Sequence, residues 1–298
     1  MQDEAGPGPA AARPRGILHE CWLLLRATVE GYIEDEAMTR GAAIAFYAFF
    51  SAAPLLVIAI AIAGAVFGEQ AAEGAVAEQL RELMGDVGAE AVQGLVRSAA
   101  DRESGRLFAY IGLLVLLVLA SGVFSEVQAA LNAIWRAPPH PRGTIVQVAI
   151  NKALSFALVL LTGVLLLVSL LATTVLSLVT TWAVALLPET ARVLGYANVL
   201  LTFVLGTILF ATIYKVLPNR RLHWSDVGIG AAVTAVLFTI GKVLIGWYIG
   251  STQVASSFGA AGALMVVLLW TYYSAQIFLL GAEFTRAWAG LHPHTGKG

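Results

Sequence analysis

The sequence predicts an all-α, polytopic membrane protein with six transmembrane helices, an N-terminal amphipathic helix and a helical extracytoplasmic loop. Three observations carry that prediction. Of the 298 residues, 58% are hydrophobic and only 12% charged, where soluble domains carry about 25% charged residues; mean hydropathy is +0.79. Six apolar segments stand between polar connections, and about 20 apolar residues suffice to cross about 30 Å of hydrocarbon. The last segment, 258–283, also carries Trp270, Tyr272, Tyr273, Ser274, Gln276 and Glu283, which a plain anchor does not need. Polar groups at membrane depth must find partners within the protein, because hydrocarbon offers none.

The chain divides into a Pro/Gly/Ala-rich tail at 1–16, a membrane domain at 17–288 and a C-terminal tail at 289–298. Low hydrophobicity marks the first tail as disordered. No short apolar stretch with a cleavage site precedes the first span, so that span is expected to act as the targeting signal. Residues 17–36 mix apolar and charged positions, the pattern of an amphipathic helix lying on the membrane surface or against the bundle. The first span, Ala42 to Phe67, holds Pro54, whose missing amide frees the carbonyl of Phe50 and predicts a kink. Residues 68–106 form the longest hydrophilic stretch. Val76, Leu80, Leu83 and Val87 recur at helical spacing there, as do Val92, Leu95 and Val96, so two short helices outside the membrane are expected.

The second span starts near Leu107, stays apolar to Val123 and runs on through Glu126 and Asn132 to Trp135 and Arg136. The third, Ala153 to Leu187, is longer than a bilayer requires and must tilt, protrude or break. Ser155, Thr162, Ser169, Thr173 and Ser177 share one of its faces, either lining a cavity or bonding back to their own helix. The fourth span runs from Val193 to Tyr214 and is stopped by Pro218, after which Ser225 or Asp226 caps the next helix. The fifth begins at Val227 and contains Lys242; a turn over 250–257 leads into the sixth. With both termini on one side, that side receives twelve Lys and Arg and the other five. The positive-inside rule then places both termini in the cytoplasm.

Four separated motifs resemble the bacterial YihY/BrkB family of inner-membrane proteins: 43–56 (AIAFYAFFSAAPLL), 130–135 (ALNAIW), 214–219 (YKVLPN) and 269–283 (LWTYYSAQIFLLGAE). The resemblance covers about residues 17–288. It implies six spans in the bacterial inner (plasma) membrane, and the roles suggested for that family include envelope lipid transport and serum resistance. The family once carried a ribonuclease label; the few cationic residues of the cytoplasmic loops offer no groove for a nucleic acid.

The candidate chemistry is the set of polar groups inside spans. Tyr47, Ser51, Tyr273 and Gln276 fall near mid-membrane, and with the break at Pro54 they suit a path for a headgroup or ion. Glu126 and Glu283 lie near the cytoplasmic helix ends, with Asn132 at similar depth. Two readings stand for these acids: a functional cluster with Arg40 or Lys152, or an interfacial girdle that holds the bundle. Lys242 lies about 24 Å along its helix at about 1.5 Å per residue, out of reach of both acids, where it snorkels or contacts an anionic headgroup.

None of His19, His140, His223, His292 and His294 shows metal-ligand spacing, and no nucleophile elbow or phosphate loop appears, so neither an enzyme nor a cofactor is expected. The single cysteine, Cys21, excludes a disulfide framework. The expected function is a transporter or flippase moving a lipid headgroup or small solute through a polar cavity. The competing reading is a non-catalytic scaffold for envelope integrity. Membrane lipids are the expected partners, with nucleic acid excluded; Gly246 and Gly250 and the small residues around Gly259 suit helix packing or a homo-oligomer.

Overall fold

A computed structural model describes residues 17–100, 122–137, 190–220, 222–251 and 260–292. All regular structure among the described residues is helical. The first half of the expected second span and the whole of the third fall outside them, as do Lys152 and the hydroxyl stripe.

Helix α1 spans Ile17–Glu34. The chain turns through Glu36, held in the left-handed region at φ 53°, and enters α2, Ala37–Phe67. Arg40 braces that turn by donating its Nε to the carbonyl of Asp35 at 2.8 Å. Helix α2 begins five residues before the expected first span and continues without interruption through Pro54. Gly68, at φ 91°, reverses the chain, its amide closing the helix on Gly64 at 2.8 Å. A side chain is strained at such a φ, so glycine suits the turn.

Helix α3 covers Glu69–Ala100 and is broken at Gly85 (φ 75°, ψ 177°), which leaves Val76, Leu80 and Leu83 on one arm and Val87, Val92, Leu95 and Val96 on the other. Helix α4 occupies 122–134. Helix α5, Thr190–Val216, ends just before the Leu217-Pro218 step, as a proline without an amide requires. Helix α6, Trp224–Ser251, starts ahead of Ser225 and Asp226, which therefore sit in its first turn. An acid there favours the helix N-terminus. Helix α7 runs over Ala260–Leu291, through Arg286 and three residues into the expected C-terminal tail.

Three described helices carry stretches long and apolar enough to cross a membrane: Val199–Val216, Trp224–Ser251 and Gly262–Leu291. Helix α7 packs against α1, α2, α3 and α6, while α6 also packs against α5. Two apolar clusters form. One joins Ala37 and Ile44 of α2, Leu131 and Ile134 of α4, Tyr214 of α5, and Leu279 and Ala282 of α7. The other joins Met84, Ala91 and Val92 of α3 to Ile245, Ile249, Val266 and Val267 of α6 and α7.

Small residues set the helix spacing. A Cβ at Gly230 of α6 would lie 2.6 Å from the Cβ of Thr285 on α7, and one at Gly281 of α7 would lie 2.8 Å from the Tyr214 hydroxyl. Neither fits, so the α6 and α7 backbones approach as only glycine permits. Gly246 and Gly250, the expected packing motif, meet nothing within 4 Å among the described residues.

Candidate functional site

The polar groups of α7 converge on α1. Glu283 is fully buried, and among the described residues neither of its oxygens receives a hydrogen bond. Its near neighbour on the same helix is Arg286, whose Nε lies 3.5 Å from Glu283 Oε2. The i, i+3 spacing places both side chains on one helix face. Arg286 Nη1 reaches Asp35 Oδ2, just beyond α1, at 2.7 Å and donates to the Ile134 carbonyl of α4 at 3.0 Å. One guanidinium thus serves two carboxylates and a helix-end carbonyl. The planar fork spreads these contacts over Nε and Nη1, where an ammonium would have to gather all of them on one atom.

Glycine makes the contact possible. A Cβ at Gly31 would stand 2.5 Å from Glu283 Oε2 and 2.7 Å from Arg286 Nη2. One residue on, the Tyr32 hydroxyl donates to Gln276 Oε1, and Gln276 Nε2 donates to the Met38 carbonyl at 3.2 Å. Burial, reinforced by the neighbouring Tyr272, pushes the Tyr32 phenol up to about 12. It therefore stays protonated and able to donate at any physiological pH. Gly41 of α2 lies directly against the Gln276 amide, where a Cβ would come within 2.9 Å of its Cδ. On the rim, Arg136 Nη2 pairs with Glu34 Oε2 at 3.3 Å.

A second polar set ties α4, α5 and α6 to this end. Asn132 Oδ1 accepts the Asn219 amide at 2.8 Å, Gln128 Nε2 donates to the Leu217 carbonyl at 3.1 Å, and Arg220 Nη1 donates to the Trp135 carbonyl at 2.8 Å. These bonds satisfy the backbone around Pro218. Lys215 donates to the Leu222 carbonyl and sits 5.3 Å above the Trp224 ring. The buried Tyr214 hydroxyl donates to the Phe278 carbonyl at 2.6 Å and lies 3.1 Å from Thr234 Oγ1. Replacing Asn132 with Ala strips the acceptor from a partly buried amide. The expected cost is about 1–2 kcal/mol, read as a lower melting point in detergent with the helix content unchanged.

The sequence-derived path residues are dispersed. Gln276 and Glu283 enter the α1–α7 cluster, and Asn132 joins the neighbouring set. Tyr47 instead packs its ring where a Cβ on Gly122 of α4 would stand, and meets Phe46 edge-on at 5.7 Å. Ser51 is buried and bonded back to the Ala48 carbonyl at 3.1 Å, the ordinary resting place of a helical hydroxyl. Pro54 lies in the uninterrupted α2. Glu126 is partly buried on α4. Tyr273 packs beside Gly241 in the apolar cluster at the other end. Lys242, next to Gly241, is partly buried on α6.

The cation beside Glu283 is therefore Arg286; Arg40 braces the α1–α2 turn and Lys152 lies outside the described residues. Arg286, Asp35, Tyr32 and Gly31 are not among the residues that the sequence singles out. The usable signal was Glu283-x-x-Arg286, an acid and a base one turn apart in an apolar helix. No group of three or more metal-ligating side chains occurs among the described residues.

A family model described as "Virulence factor BrkB" matches residues 28–295. Among curated proteins, the chain is 27% identical over 268 residues to a "UPF0761 membrane protein" of Alkalilimnicola ehrlichii, covering 87% of this chain and 57% of that protein. It is 29% identical over 277 residues to another of Rhodospirillum centenum, covering 91% and 58%. A third, of Alcanivorax borkumensis, is 26% identical over 304 residues, covering 99% and 66%. The chain thus spans less than two thirds of the length of these relatives. No solved structure matches the chain.

Proposed function

Because the chain belongs to the family described as Virulence factor BrkB, and is a membrane protein of that family, we infer that it is a multi-pass transporter or flippase of the bacterial inner membrane. In this reading it moves a lipid headgroup or small solute, without chemical conversion. The α1–α7 cluster forms its cytoplasmic end, with both termini on that side.

The observation that carries this reading is Glu283: fully buried, with neither oxygen hydrogen-bonded among the described residues, beside an arginine it shares with Asp35. Buried ionisable groups in membrane helices are costly, and paths for ions, protons and polar solutes are where they persist. Asp35 lies between α1 and α2, and Glu283 belongs to α7. Whatever neutralises or competes for either carboxylate loosens the hold of Arg286 on that junction and frees α1 and α2 to move against α7. That coupling of charge to helix position is what alternating access needs.

Purified protein in liposomes carrying a fluorescent phospholipid should expose the label to an impermeant quencher faster than empty liposomes do. Glu283→Gln should slow that movement about tenfold, an expected value for one charge-assisted contact of about 1.4 kcal/mol, while melting at a similar temperature. Unchanged movement in a folded Glu283→Gln protein removes the basis of the assignment.

A scaffold is the second reading, favoured by the dense packing of the same region. Gln276 has both a donor and an acceptor within the fold, and α6 and α7 meet through glycines. It predicts that the substitution changes stability or partner capture while no lipid or solute moves.

A further inference from the structure

The segment 69–100 reads in sequence as a loop outside the membrane, yet its break sits beside the spanning helices. The Trp270 indole donates to the Leu83 carbonyl at 3.3 Å. Trp270 lies eight residues inside the Gly262 end of its candidate span, about 12 Å at about 1.5 Å per residue. Around the break, Met84, Ala91 and Val92 are buried against Ile245 and Ile249 of α6 and Val266 and Val267 of α7. Leu80, Leu83 and Val87 pack on the same cluster, together with Phe49 and Leu56 of α2.

We propose that α3 is a re-entrant helical hairpin whose tip, at Gly85, plugs the end of the bundle opposite the α1–α7 cluster. Four features fit that use. The non-helical Gly85 interrupts the backbone ladder and frees carbonyls before it, and hydrocarbon would leave them unpaired; the Trp270 indole takes one. Irregular backbone at membrane depth is tolerated where it is buried in protein or lines a water-filled cavity, and Gly85 is only half-buried, with open space where a Cβ would stand. The inward face is apolar and closely packed, with Met84 only 3% exposed. The outward face is charged, with Arg81 Nη1 2.6 Å from Glu78 Oε2 and its Nε 2.9 Å from Asp86 Oδ1. Arg81 thereby straps one arm of the hairpin to the other across the break. These three side chains are 51–80% exposed. Hydrocarbon cannot solvate them, so the outer flank of the tip faces a water-filled vestibule. This proposal stands whether or not the protein moves a solute.

The test uses full-length protein in lipid bilayers with Cys21→Ser as background. Single cysteines replace Glu73 on the first arm, Asp86 at the tip, and Met265, which is exposed on α7 near the level of the tip. Spin labels at Met265 should collide with oxygen far more than with a water-soluble nickel chelate, and those at Glu73 the reverse. Asp86→Cys should react with an impermeant charged thiol reagent despite lying at the depth of Met265. If the Met265 label is as open to nickel as the Glu73 label, that end of the bundle stands in water and the hairpin is not re-entrant. If Asp86→Cys resists the reagent, the vestibule is absent and the proposal fails. A second measurement avoids cysteines in the hairpin: Trp270→Phe should raise amide exchange around residues 83–88 by about fivefold, the size of one neutral hydrogen bond. Exchange equal to that of the parent protein would overturn the contact on which the depth rests.

Discussion

Replacing Arg286 with Gln is expected to destabilise the protein more than any other single change of charge in the described fold. The substitution removes the cation shared by Asp35 and Glu283 and leaves two acids facing each other across the α1–α7 contact. Breaking a buried pair by deleting one partner costs about 3–5 kcal/mol, because the remaining charge is left uncompensated. Arg286 and Asp35 retain 23% and 15% side-chain exposure, and partial hydration screens their attraction, so the lower end of that range applies to this pair. Glu283 has no such relief, being fully buried. Adding Glu283→Gln to Arg286→Gln should therefore recover much of the loss, since it removes the acid that suffers most. Arg286→Lys keeps the charge but not the fork, and should fall between the two. Reversible unfolding in mixed micelles reads the order: parent, double variant and Lys variant, Gln variant. Amide exchange should rise first in α1, which Arg286 holds through Asp35. Equal stability of Arg286→Gln and the parent would show that the arginine carries no strain-bearing charge pair at all.

The architecture was legible where the physics is local. Apolar length announced α5, α6 and α7, and Pro218 announced the end of α5, because each depends on residues within one or two turns. Helix α7 was also recognisable as the element others pack on, from the polar residues it carries. What the sequence did not disclose is which partners those residues find. Gln276 bonds Tyr32 across 244 positions and Arg286 bonds Asp35 across 251. Nothing in a single chain encodes that pairing, and charges on residues 17–36 read equally well as a solvated face. The end of the apolar segment mattered as well: with that segment closed at Glu283, the Glu283–Arg286 pair is cut in two. The hairpin was obscured for a different reason. Its acids and its apolar positions were both visible, yet their separation onto outward and inward faces only acquires meaning beside Trp270. Among the described residues Gly246 and Gly250 meet nothing within 4 Å, whereas Gly31, Gly41, Gly230 and Gly281, which lack their spacing, carry the close approaches.

Gly230→Ala is the smallest change expected to disturb the α6–α7 contact, and its outcome follows from geometry alone. The added methyl would lie 2.6 Å from Thr285 Cβ and 2.7 Å from Thr285 Cγ2. Thr285 has no exposure, is β-branched and has its hydroxyl committed to the Gly281 carbonyl at 2.7 Å, so its rotamer has little room to change. The helices must instead separate, and on the neighbouring turn Gly281 packs just as closely against Thr234 and Tyr214. Overpacking of a close-fitted interior costs about 1–3 kcal/mol, and coupling between the two contacts pushes this site toward the upper figure. Thr285→Ala removes the methyl and hydroxyl that obstruct the new side chain, and its own hydroxyl bonds only within α7. The double variant should therefore be more stable than Gly230→Ala alone, a departure from additivity expected only of residues in contact. Melting temperatures of the four proteins in one detergent supply the cycle. Strictly additive shifts would mean that α6 and α7 do not meet face to face at Gly230 and Thr285, and the close glycine crossing would have to be abandoned.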